Sequence, residues 1–256
     1  MDKAIRGALV GMVLGDAYVN VRHRLKDGKY HYESAEMRIV HSLVQIDYCR
    51  HKCDLVNQWL DRHSTMRVIS NGPGGQYKAA AFSVSHPYFR QVKQWCYPGG
   101  KKTFSMHLLD MLTPHGLALW YMDDGSAGRN LNKDGWTTSV STSLATFCSE
   151  PEARLIAEWF DKVYAIRWNV RCKKTSPPES AFYLQTNTEG SKEFAALIRM
   201  FVIPSMLYKL AHVAAMTTHE RQTPVAVCRC GNLIYENRNK GMCHACYMRQ
   251  RRTAMI

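Results

Sequence analysis

Two aspartates, Asp16 and Asp124, close two apolar runs of the same character, LVGMVLGDA (9–17) and LALWYMDDG (117–125). The second run reads as a buried helix with Gly125 as its C-terminal stop. A helix C-terminus carries partial negative charge, so a carboxylate there is disfavoured by up to about 1 kcal/mol. Asp123 and Asp124 therefore stand at the wrong end of their helix, and a bound cation is the simplest compensation. A second group with ligand character lies far downstream. Cys228-x-Cys230 and Cys243-x2-Cys246 form two knuckle-like pairs with twelve residues between them. Four thiolates at that spacing suit tetrahedral Zn²⁺ in a closed, structural site, with His244 as a substitute ligand. A segment so short cannot bury a core, so metal would supply its folding energy.

The composition narrows the partners. The chain has 256 residues and a net charge of +13, from 34 Lys+Arg against 21 Asp+Glu. Such an excess points to a polyanion, nucleic acid before acidic membrane. Its hydrophobic content of 46% suits a packed core, and no apolar run reaches the length of a membrane span. The glycines and closing GDA of the N-terminal stretch argue against a signal peptide. Cys49, Cys53, Cys96, Cys148 and Cys172 lie singly and read as reduced, buried small hydrophobes. The cysteine pattern suits a reducing intracellular compartment, either bacterial or phage-host cytoplasm or an organelle matrix.

The elements that must position these groups occur twice. Asp16 and Asp124 are 108 residues apart (124 − 16 = 108). A hairpin-like stretch with a KDG turn follows each. Helices are predicted next over 45–63 and 149–164, the second opened by a Ser149–Glu152 capping box with Pro151 in its first turn. Second hairpins turn at GPGG and SPPE, and helices over 87–97 and 191–202 complete the halves. Each half reads α-β-β-α-β-β-α, with 1–105 as the first repeat, 106–215 as the second, and 216–256 as a linker and basic C-terminal module. That module carries Arg229, Arg238, Lys240, Arg249, Arg251 and Arg252 and is expected to extend the nucleic-acid contacts.

Period-2 alternation puts one face of a strand on the core and the other outward. In VNVRHRLK the outward set is Asn20, Arg22, Arg24 and Lys26; in RWNVRCK it is Arg167, Asn169, Arg171 and Lys173. A merely solvated face would mix in Glu and Asp; these side chains suit base edges and phosphates. Arg67, Lys78 and Arg129, in other strand-like runs, join the expected DNA-contacting set. Met106, Met111 and Met122 read as core filler. His41, His51 and His63 show no ligand spacing and receive no role.

The two motifs, with KKTFSMHLLDMLTPHGLALWYMDDGS and IPSMLYKL, resemble those of LAGLIDADG homing endonucleases, in particular monomeric, two-motif, intron-encoded mitochondrial members. The resemblance covers roughly residues 5–212. It implies an α+β fold of two pseudo-symmetric αββαββα repeats forming a DNA-binding β-saddle, with a small C-terminal zinc-ribbon-like module added. It also implies that the motif helices pack together through a stripe of Gly7, Gly11 and Gly15, and that Asp16 and Asp124 meet at the floor of the groove. There they would bind Mg²⁺, an ion that prefers oxygen ligands, polarises phosphate and activates water. Lys102 and Lys209 would support the developing charge. Lys101 competes with Lys102, because Lys101, not Lys102, matches the repeat offset. Leu119 departs from the family's small residue, and Asp123 reads as a flanking acid. The implied activity is a metal-dependent double-strand cut across the minor groove of a long DNA site, with short 3′ overhangs, starting intron or element homing. The rivals are an RNA maturase binding intron RNA and a DNA-binding regulator that has lost catalysis. Flanking splice-type residues are not visible, which favours a free or intron-encoded form over an intein.

Overall fold

The computed structural model describes residues 1–26, 29–173, 181–218, 225–228, 230, 233–234, 242–243, 246–247 and 250. Two helices set the architecture. Helix α1 (Lys3–Leu14) starts where the Asp2 side chain accepts from the Ala4 amide, and residues 7–14 are buried without a break. Such a helix, apolar all round, can sit only in the middle of a molecule. Its counterpart among the later elements is α5 (Pro114–Asp124), capped by the Thr113 side chain accepting from the Gly116 amide. Before it come β1 (Tyr18–Lys26), β2 (Lys29–Ser42), α2 (Ile46–Leu60), β3 (Arg67–Asn71), β4 (Tyr77–Ser85), α3 (Phe89–Cys96) and the single turn α4 (Met106–Leu109). After it come β5 (Gly125–Leu131), β6 (Thr137–Cys148), α6 (Glu150–Tyr164), β7 (Asn169–Lys173), β8 (Ala181–Gln185) and α7 (Thr188–Ile198). A 3₁₀ stretch (Pro204–Leu210) and α8 (Ala211–Thr218) end the second repeat. The two antiparallel sheets have the same order, β1-β2-β4-β3 and β5-β6-β8-β7. That identity is the expected duplication. No described helix is long and apolar enough to cross a membrane.

Helices α1 and α5 approach until backbone meets backbone. A Cβ on Gly11 would lie 2.0 Å from the Gly116 carbonyl oxygen, and one on Gly116 would lie 2.2 Å from that of Gly7. Glycine is required here by space, not by dihedral angle. The stripe expected from Gly7, Gly11 and Gly15 is thus present, and α5 answers it with Gly116. Leu119 is fully buried, and its carbonyl accepts from the Tyr48 hydroxyl at 2.9 Å, a contact that makes the interface unequal on its two sides.

Local differences from expectation have local causes. Gly125 is not a left-handed helix stop: its φ is −84° and it begins β5. It is glycine because the Tyr121 ring lies where a Cβ would be. Helix α7 starts at Thr188, earlier than predicted, because Asn187 caps it by accepting from the Gly190 amide at 2.9 Å. The Ser149–Glu152 box is present, with Glu152 Oε2 accepting from the Ser149 amide at 3.1 Å. Glu152 Oε1 also accepts from the Phe104 amide at 3.0 Å, joining the two repeats. The KDG turn of the first half and the SPPE turn fall on residues outside those described.

Gly11→Ala should force the helix pair apart, at a cost of about 2–3 kcal/mol or more. Thermal unfolding followed by circular dichroism should show a midpoint lowered by about 5–10 °C.

Candidate functional site

The close approach brings the C-termini of α1 and α5 together, and each is met by an ammonium group. Lys102 Nζ donates to the Leu14 and Gly15 carbonyls, both at 3.1 Å. Lys209 Nζ donates to the Asp123 carbonyl at 2.9 Å. Gly15 and Asp123 are 108 residues apart, the repeat offset, so the two lysines play the same part by symmetry. Lys102 rather than Lys101 is therefore the counterpart of Lys209; Lys101 is exposed. Both half-buried lysines have pKa values below the ordinary one because burial penalises the charge, while Asp16, Asp123 and Asp124 pull them back up. The cations offset the negative helix ends on which the acids stand.

The acids differ in setting. The Asp16 side chain keeps 46% of its surface exposed. Asp124 is half-buried, and desolvation, with the neighbouring charges of Asp123 and Asp16, pushes its carboxyl up to about 7. Burial and Asp123 likewise raise Asp16. Asp123, expected as a mere flank, has no side-chain exposure at all. It holds the Lys52 ammonium at 2.6 and 2.7 Å through its two oxygens, and its Oδ2 accepts from the Asp16 amide at 3.1 Å. Gly15 must be glycine because Asp123 fills its Cβ position. His41, given no role from spacing, is buried at the same place. Its Nε2 is 3.2 Å from Lys52 Nζ, and its Nδ1 is 3.6 Å from Asp16 Oδ2. Burial and the Lys52 charge lower its pKa to about 3, so the imidazole is neutral near pH 7.

Asp16, His41 and Asp123 offer ligand atoms within 4.8 Å of one another. Lys52 already takes both Asp123 oxygens, and the other two acids of the cluster are Asp16, beside His41, and Asp124, beside Lys102 and Trp120. Two hard oxygen donors in a patch of mutual repulsion fit a divalent ion such as Mg²⁺. Sequence reasoning missed Lys52 although a signal was present. It interrupts the apolar stripe Tyr48, Cys49, Cys53, Val56 and Leu60 of α2, and a lysine at such a position needs a buried partner.

The strands sort the expected DNA-contacting residues. Asn20 and Arg22 are exposed on the outward face of β1, opposite the buried Val19; Arg22 pairs with Glu36 at 3.2 Å. Arg67 opposes Ala81 and shares the outward face with Arg38 and Ser83, lining one concavity. Arg38 was not anticipated, yet AEMRIVHS alternates in the required way. Lys78 is a correction: it opposes Ser70 and bonds its hydroxyl at 2.9 Å, on the face opposite to Arg67. Arg129 is another. It opposes the buried Val140, so Asn130, not Arg129, faces outward with Ser139. Asn169, Arg171 and Lys173 are exposed on β7 as expected. Arg167 precedes that strand and lies 3.7 Å from Asp161. The backbones of Arg24 and Lys26 are in β1, and their side chains lie outside those described.

At the C-terminus, Cys228, Cys230, Cys243 and Cys246 gather around the two-stranded pair β9 (Ala226–Val227) and β10 (Leu233–Ile234), with their sulfurs within 4.8 Å of one another. Cys230 and Cys243 Sγ are 3.6 Å apart. Zn–S bonds of about 2.3 Å in a tetrahedron require about 3.7 Å. His244 and the basic residues 229, 238, 240, 249, 251 and 252 lie outside the described residues.

Duplicated sheets around a glycine-packed helix pair, with an acid at each helix end, define a two-repeat nuclease-like class. The model of the LAGLIDADG DNA endonuclease family matches residues 6–194, and the chain belongs to that family. Among solved structures, the homing endonuclease I-WcaI bound to its DNA recognition sequence matches with a TM-score of 0.64 and 22% identity, over 82% of this chain and 86% of that one. The meganuclease I-SmaMI bound to uncleaveable DNA matches with a TM-score of 0.52 and 10% identity, over 83% and 91%. These likenesses show the fold. Among curated relatives, Protein RecA of Mycolicibacterium flavescens is 28% identical over 79% of this chain and 45% of its own length. Probable intron-encoded endonuclease 1 of Wickerhamomyces canadensis is 24% identical over 82% and 85%. Cytochrome b mRNA maturase bI2 of Saccharomyces cerevisiae is 23% identical over 83% and 48%. The chain spans about half the length of the first curated relatives it matches.

Two outcomes follow from the electrostatics. A carboxyl raised in the folded state costs stability as pH rises from its unfolded value near 4, and the full cost is present above about 7. Metal-free Asp124→Asn should thus be more stable than the parent at pH 8, by on the order of 2–4 kcal/mol, with the difference gone near pH 4; urea titrations at both pH values measure it. Lys52→Met and Asp123→Asn should each cost about 3–5 kcal/mol by leaving one buried charge alone, and the double variant should recover most of that loss in the same assay.

Proposed function

We propose that the protein is a site-specific DNA endonuclease acting as a monomer on a long, nearly asymmetric duplex site. The observation that carries this reading is that Asp16 and Asp124 stand at the ends of paired helices, each end met by a half-buried lysine. A divalent ion bound between those carboxylates, Mg²⁺ by its preference for oxygen, would supply Lewis-acid polarisation of the scissile phosphate and a more acidic water. Asp16 and Asp124 would hold the ion, one carboxylate from each repeat. Lys102 and Lys209 are anchored to helix carbonyls, so their positive charge is preorganised beside the position where phosphate charge grows. The lowered lysine pKa values favour sharing a proton with a developing oxyanion.

The residues 1–105 and 106–215 would each read one half of the target. Asn20, Arg22, Arg38 and Arg67 in one half, with Asn130, Asn169, Arg171 and Lys173 in the other, form the outward polar faces that meet base edges and phosphates. The family resemblance supports a cut across the minor groove, short 3′ overhangs and a role in homing. The module within 216–256 would hold Zn²⁺ through Cys228, Cys230, Cys243 and Cys246 and lengthen the recognised site. A maturase acting on intron RNA is the second reading, favoured by the likeness to the yeast cytochrome b mRNA maturase. Retention of both motif acids disfavours a regulator without catalysis.

Cleavage of the DNA flanking its own coding region, joined without that region, tests the reading with and without Mg²⁺. The parent should linearise this plasmid only with the ion. Asp124→Asn should cut at least about a thousandfold more slowly and keep its DNA affinity; cutting by that variant at the parental rate would overturn the assignment. Loss of Cys243, or zinc removal, should weaken binding in a salt-controlled titration more than it moves the cut position.

A further inference from the structure

Among the described residues, the Asp123–Lys52–His41 cluster has no counterpart under the repeat relation. Lys52 is the seventh residue of α2, and the seventh residue of the equally long α6 is the fully buried Ile156. Asp123 corresponds to Gly15, which has no side chain to offer. Lys52 itself has no exposed surface and cannot touch DNA. Its ammonium lies on both Asp123 oxygens, on the His41 ring nitrogen at 3.2 Å, and 4.4 Å from the centre of the Tyr48 ring. A lysine ammonium only donates, so His41 Nε2 must accept and its proton must sit on Nδ1, the atom 3.6 Å from Asp16 Oδ2. Asp16 is held through its backbone, its amide donating to Asp123 at 3.1 Å, while the His41 ring, which also meets Gln45, stands beside its carboxylate beyond hydrogen-bond distance. Asp124 is met differently, by the Lys102 ammonium and the Trp120 indole, and among the described residues no side-chain carboxylate is recorded accepting from its amide.

We propose that Lys52 is a positioning residue that orients Asp16 alone, through Asp123 and His41, and so sets the cutting of one DNA strand apart from the other. The ammonium does a second thing at the same place. By occupying Asp123, it keeps that carboxylate from joining Asp16 and His41 as a third ligand, which would draw an ion away from the phosphate. The two halves of the centre are then unequal by construction: an acid whose amide is anchored to the Asp123–Lys52 pair on one side, and on the other an acid without that anchor. Outer groups that orient a metal-binding side chain commonly govern activity by about 10- to 100-fold.

This inference rests on the endonuclease reading, and strand-resolved kinetics separates the two. The substrate is the plasmid defined above, with each strand carrying a different fluorophore in a linear version. Two variants are compared with the parent: Lys52→Met, and the double variant Asp123→Asn with Lys52→Met, which buries no lone charge and keeps an acceptor for the Asp16 amide. In the variant that folds, the ratio of the two strand-cutting rates should shift by about tenfold or more, nicked circles should accumulate, and DNA affinity measured in EDTA should stay within about twofold of the parent. Equal slowing of both strands, or an unchanged ratio in the folded double variant, overturns the inference. A parent enzyme that cuts neither strand overturns the endonuclease reading instead.

Discussion

The backbone contact between α1 and α5 is the constraint on which everything else depends. Glycines at 7, 11 and 116 allow the axes to approach until carbonyl oxygens occupy the space a side chain would need. Close approach makes the two helix ends neighbours, and neighbouring helix C-termini concentrate negative potential before any side chain is counted. Placing Asp16, Asp123 and Asp124 there adds to it. A fold with only apolar burial to spend would avoid that arrangement, and its presence marks a place where stability is given up for chemistry.

The molecule manages this potential with three buried or half-buried lysines, each answering a different part. Lys102 and Lys209 meet the helix carbonyls and follow the pseudo-twofold relation between the repeats. Lys52 meets a side chain and breaks that relation. What remains only partly compensated is the pair Asp16 and Asp124, whose carboxyl groups are both pushed toward their neutral forms by burial and by the charge of Asp123. Affinity for a cation is the physical counterpart of that residual repulsion.

Duplication with divergence also shapes the sheets. The two have one topology, yet the first presents Arg22, Arg38 and Arg67, whereas much of the second presents Ser126, Ser139, Ser141 and Ser143. Hydroxyls accept and donate without carrying charge, so the two faces would meet a duplex differently even where their backbones superpose. Such inequality is what a single chain can achieve and a symmetric pair of identical chains cannot.

Much of this was legible in the residues themselves. The repeat, the order of its elements, the Ser149–Glu152 cap, the glycine stripe and the cysteine pairs all depend on local spacing, and local spacing is what a sequence states directly. Alternation also placed Asn20, Arg22, Asn169, Arg171 and Lys173 on outward faces. Lys78 and Arg129, for which no alternation was read, fall on the other face, since the inward or outward sense of a strand is set by its neighbour's register. Lys101 and Lys102 could be told apart only by which ammonium reaches a carbonyl of a helix 87 or 88 residues away in the chain. The same holds for Asp123, His41 and Lys52. Each looks ordinary in its own segment, and only the packing of α2, β2 and α5 around one buried point turns three unremarkable residues into a single ionic unit.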